Sequence, residues 1–126
     1  MYKIIMLIKK RSDLSMKEFM DYYDNVHVPL LHKILTKGAA MHRRNYVLPQ
    51  NDIANPENLN VDAPDYDVIC EVFYEDLDTM HSVMRDFENA EIRRLVTEDE
   101  SKFQLAGSIK RYMVEVHETE FRSGCA

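Results

Sequence analysis

A chain of 126 residues with 45% hydrophobic and 30% charged side chains has the length and balance of one globular domain, not of a disordered or membrane protein. Its formal net charge of −6 argues against a nucleic-acid partner, because phosphate binding wants clustered Lys and Arg. No apolar run approaches the roughly 20 residues of a membrane helix, and Met1 to Ile8 is too short, with its basic residues on the wrong side, for a signal peptide.

The two cysteines differ in kind: Cys70 lies in an apolar run and Cys125 in a polar tail. They match no zinc spacing and make poor disulfide partners, so a reduced, cytoplasmic, metal-free protein is expected.

Tyr2 to Lys9 reads as a strand, dense in Ile and Leu. Ser15 and Glu18 form a capping box that starts a helix, in which each side chain satisfies a backbone N–H of the first turn. Met16, Phe19, Met20, Tyr23, His27, Leu30, Leu31 and Ile34 follow as its apolar stripe. Pro29 interrupts the stripe and predicts a kink or restart near Asn25–Val28. Gly38 closes the element.

Met41 to Leu48 is a second strand, and Pro49 to Asp65, rich in Asn, Asp and Pro, a long loop of the kind used as a lid or partner contact. Tyr66 to Tyr74 is a third strand. Leu77, Met80, His81, Met84 and Phe87 mark a second helix, Thr97 to Leu105 a third, and Ser108 to His117 a last strand. The order β-α-β-β-α-(α)-β predicts an α+β, ferredoxin-like domain over residues 1–118, with 119–126 as a polar tail. Helices should cover one face of its four-stranded antiparallel sheet. Strands one and three carry apolar residues on both parities, so the second face also wants cover. A second copy of the sheet supplies it most simply, giving a homodimeric barrel with room for a small apolar or aromatic molecule.

Four strings, LSMKEFMDYYDNVHVPLL, RRNYVL, YDVICEVFY and TEDESKF, resemble the EthD domain family of the dimeric α+β barrel superfamily, in that family's order. Tyr22-Tyr23 followed by His27-Val28-Pro29-Leu30 is the most specific part. The resemblance implies a cofactor-free homodimer whose cavity lies between sheet and helices or between the facing sheets. Relatives include muconolactone isomerases and aromatic polyketide cyclases and dehydratases, and others bind haem. A third-strand cysteine used by some isomerase relatives is Val72 here, so a cysteine mechanism is not carried over.

His27 is the first candidate for chemistry: it lies on the apolar stripe, at the family's H-x-P position, and imidazole exchanges protons near pH 7. The alternative is a core histidine bonded at the Pro29 kink. Glu71 is the second candidate, a carboxylate between Ile69 and Phe73 whose pKa burial would raise, or else one half of an ion pair with Arg44 or Arg111. Tyr23, Arg44 and Tyr46 are candidate substrate-binding residues, with Arg44 placed to grip a carboxylate or enolate oxygen. Glu98-Asp99-Glu100 reads as structural, since Thr97 and Glu100 form another capping box. His32, His42, His81 and His117 read as surface or packing residues.

These readings converge on a lyase, foremost a dehydratase, that removes a proton next to a carbonyl of a polyketide-like or aromatic molecule. An isomerase or oxygenase in the same pocket is the alternative within enzymes. Outside them stands a binder of a hydrophobic metabolite or of haem, with His27 or His81 as axial ligand.

Overall fold

Strand β1, Tyr2–Ile8, lies inside the sheet of the computed structural model, which describes residues 1–35, 38–48 and 65–121. It pairs antiparallel with β3 (Val68–Tyr74) on one side and β4 (Lys110–Glu115) on the other. β2 (Met41–Tyr46) pairs antiparallel with β3, giving the order β2-β3-β1-β4. This is the ferredoxin-like sheet, with each strand a residue or more shorter than its apolar run suggested. Residues 49–64 of the expected loop from Pro49 to Asp65, Cys125 and the end of the expected tail, 122–126, lie outside the described residues.

The register assigns each parity to a face. Ile4, Val72, Val68, Cys70 and Ile8 are buried toward the helices. Ile5, Ile69, Glu71 and Tyr112 belong to the opposite, open face.

Helix α1 (Met16–Tyr22) starts at Ser15 with the expected capping box. The anticipated break at Pro29 takes a different form. Tyr23–His27 is a π-helical segment, and α2 (Val28–Ile34) continues from it with Pro29 in its first turn. The Val28 N–H reaches the Tyr23 carbonyl five residues back, and the flanking residues keep right-handed helical angles, so one wider turn takes the place of a kink or restart.

The third helix is a correction. After α3 (Leu77–Asp86), α4 runs Ala90–Glu100, so Thr97 lies inside a helix and caps nothing. Asn89 is the cap, its side chain accepting from the Glu91 and Ile92 N–H groups. Glu98-Asp99-Glu100 therefore occupies the last turn, where the helix dipole disfavours acids, and each acid has a partner: Arg94 for Glu98, Arg111 for Glu100, and the hydrogen-bond donors Tyr22 and His27 for Asp99. Gly38 adopts φ +103°, a conformation that L side chains rarely take, between α2 and β2. No helix among the described residues is long and apolar enough to cross a membrane.

Candidate active site

Tyr22 and His27 are five residues apart, which on a regular α-helix would separate them by about 140° of azimuth. The π-helical turn closes over five residues and brings both onto one carboxylate. Asp99 Oδ1 accepts from the Tyr22 hydroxyl at 2.5 Å, and Oδ2 accepts from His27 Nδ1–H at 2.7 Å. His27 is only 2% exposed and packs against the Phe103 ring at 4.7 Å and the Tyr23 ring at 5.6 Å.

The Asp99 contact selects the tautomer of the ring, and burial disfavours its charged form. Nδ1 carries the proton, because its partner is an acceptor, leaving Nε2 with a lone pair and no hydrogen bond among the described residues. Burial depresses the His27 pKa by more than the neighbouring Asp99 raises it, so the ring is a neutral base at pH 7. An imidazole oriented by a carboxylate at one nitrogen and open at the other is the arrangement general-base chemistry uses.

His27 and Tyr23 line a cavity of ≈ 340 Å³ between the sheet and the helices, within the range of small-molecule pockets. Its walls are mainly apolar, with Ile4, Met6 and Val72 from the sheet facing Leu31 and Val83 from the helices and Phe87 just after α3. Polar groups are few. Arg111 donates to the Glu100 carboxylate at 2.8 Å, and burial nevertheless holds the Glu100 pKa above its usual range. Gln104 is buried against the same cavity, and its Nε2 has no hydrogen-bond partner among the described residues. Leaving such a donor unsatisfied costs about 1–3 kcal/mol.

The other expected site residues lie elsewhere. Arg44 and Tyr46 face the helices but hold Asp24 of the π-helical segment, Arg44 Nε at 2.9 Å and the Tyr46 hydroxyl at 2.7 Å, and neither lines the cavity. Arg44 thus grips a carboxylate of the chain itself. Tyr23 gives its hydroxyl to a 2.9 Å contact with Cys70 Sγ, whose thiol burial pushes up to about 12.

Glu71 is corrected in environment and partners. It belongs to the open sheet face, bonded to Lys3 Nζ at 2.6 Å, to Asn45 at 3.1 Å and to Arg43 at 3.5 Å, not to Arg44 or Arg111. Led by the Lys3 hydrogen bond, these partners lower its pKa; the expected elevation is absent. His42 packs inside on β2, stacked with His32 at 5.6 Å, while His81 is exposed on α3. Among the described residues no three His, Cys, Asp or Glu side chains gather as a metal site.

Asp99, Glu100 and Gln104 were not anticipated as site residues. The Thr97–Glu100 box pattern masked the first two. Only the position of Asn89, eight residues before Thr97 in a segment of good helix formers, could have moved the helix start and turned the acids toward His27.

The chain is thus a ferredoxin-like α+β domain with a carboxylate-oriented histidine on the wall of an apolar cavity. Residues 11–104 match the EthD domain, and the chain belongs to that family. Among solved structures it resembles an EthD-family protein of Bacillus halodurans, at TM-score 0.63 and 21% identity over 93% of this chain and 99% of that one. HapK of Hahella chejuensis matches at TM-score 0.58 and 15% identity, over 98% and 100% of the two chains. A dimeric protein of unknown function with a ferredoxin-like fold, from Bacteroides fragilis, matches at TM-score 0.51 and 11% identity, over 91% and 95%. No curated protein matches the chain by sequence.

Proposed function

We propose that the protein is a cofactor-free lyase, foremost a dehydratase, acting on a small aromatic or polyketide-like carbonyl compound. The observation that carries this reading is the Tyr22–Asp99–His27 chain, which orients a neutral imidazole on a cavity wall and leaves Nε2 free. His27 Nε2 takes a proton from the carbon next to the carbonyl, and Asp99 stabilises the resulting imidazolium. The electron pair forms the new C=C bond as the β-hydroxyl departs. The imidazolium then gives that proton to the departing hydroxyl, which leaves as water and restores the neutral ring. Tyr23 is a wall of the pocket, against which the His27 ring is packed edge to face. On this reading Glu71, Arg44 and Tyr46 support the framework, and the open sheet face is covered by a second copy of the chain.

The first half of the reaction can be tested without the natural substrate. Incubated in D2O with aromatic ketones such as 1-tetralone, the protein is expected to place deuterium on the carbon next to the carbonyl, read by NMR. His27→Gln should slow this by roughly 100- to 10,000-fold with little change in melting temperature. A protein that binds these ketones but exchanges no faster than buffer would instead be a binding protein.

A further inference from the structure

Gln104 is built into the cavity wall with unusual security. Its backbone N–H bonds the Glu100 carbonyl at 2.8 Å, continuing from the end of α4. Its neighbours are tied to the segment after β1: the Arg11 N–H donates to the Phe103 carbonyl and the Leu105 N–H to the Lys9 carbonyl, both at 2.9 Å. With the backbone held on both sides and the side chain buried, the carboxamide stays within the cavity wall. The residue is 4% exposed, and its side chain makes no hydrogen bond among the described residues. In a mainly apolar cavity, such a group is complementary to a molecule that brings an oxygen acceptor.

The charge around it narrows the class of molecule. Arg111, one cation on the lining, is already paired with Glu100, and Arg93, the other, is exposed to solvent. An anionic group carried into the interior would find no free buried cation among the described residues. A neutral carbonyl oxygen needs only a neutral donor.

We infer that the Gln104 carboxamide is the group that receives the carbonyl oxygen of the ligand, making the cavity selective for neutral apolar ketones over hydrocarbons of the same shape. Binding itself is independent of the proton-abstraction reading. The inference rests on that reading only for the chemical step, in which the same N–H donor would hold the oxygen as negative charge develops on it.

The test compares 1-tetralone with tetralin, which has the same rings and lacks the oxygen. Calorimetry should show the ratio of ketone Kd to hydrocarbon Kd rising about tenfold in Gln104→Leu, the scale of one lost hydrogen bond. Infrared spectra of 1-tetralone bound to the unmodified protein should show its carbonyl band below the position found in hydrocarbon solvent, a readout that does not depend on the variant folding. A band at the hydrocarbon position, a ratio unchanged within about twofold, or failure of the ketone to bind overturns the inference. His27→Gln is expected to keep the band shift. In the unmodified protein, absent deuterium exchange with the shift intact counts against the proton-abstraction reading alone, and exchange without the shift counts against Gln104 alone.

Discussion

Two imidazoles reach the interior, and burial acts on both in the same direction. His27 has the Asp99 carboxylate to offset it, whereas neither ring nitrogen of His42 has a hydrogen-bond partner among the described residues, and with Arg44 adding repulsion its pKa falls from 6.5 to about 4. The sign of the linkage is fixed by this depression. Above pH 6.5 both folded and unfolded chains hold His42 neutral; below it the unfolded chain takes up the proton first, so stability declines toward pH 4. Melting temperature is therefore expected to fall between pH 6.5 and about 4, and His42→Phe should make that fall shallower. Equal slopes for the two proteins would show that His42 contributes nothing to it. At this scale the sequence was legible where a residue sat on a stripe: His27 and Tyr23 could be placed inward because helical periodicity says so. Asp99 and Gln104 could not, because their roles depend on contacts from residues 72 positions away or on a cavity no local pattern describes.

The helical elements differ in how strongly their ends are written. Ser15 and Glu18 announce α1, and the structure contains both bonds of that box. Asn89 announces α4 with equal chemistry, yet the helix it opens is dominated by charged residues, with Ile92, Leu95 and Val96 its main apolar contacts inward, so its stripe is thin. The Pro29 signal was legible as a perturbation but not as its form, since a missing N–H is equally compatible with a kink, a restart or a wide turn. The cap on α4 can be measured. Asn89→Ala should cost about 1 kcal/mol and lower the melting temperature by a few degrees, read by chemical and thermal denaturation. Because α4 carries Asp99 at its far end, the same variant should retain deuterium exchange, provided the assay is run below its transition.

For the whole molecule, the decisive surface is the face that the helices leave open. Ile69 is 39% exposed there and Tyr112 51%, beside Ile5 and the Lys3–Glu71–Arg43 charge cluster. Strand parities made this face legible in advance, because apolar residues alternated onto both sides of β1 and β3. Sedimentation at micromolar concentration is expected to give twice the mass of one chain. Ile69→Glu, adding a second carboxylate two residues from Glu71, should shift the protein toward the single-chain mass while leaving its helical circular dichroism intact. A wild-type protein that sediments as one chain would remove the proposed dimer.

The pairing of Cys70 with Tyr23 gives the interior a clock. Alkylating agents and peroxides attack thiolates, and burial pushes the Cys70 thiol up to about 12, so almost none of it is ionised at pH 7. The sulfur is also sealed behind Phe19, Tyr23 and Val68, all fully buried around it. Reagent can therefore reach it only during moments when helix and sheet part. Where reclosing is faster than reaction, the rate of its modification follows the fraction of time the two are parted, so a single sulfur atom records how far the folded protein opens.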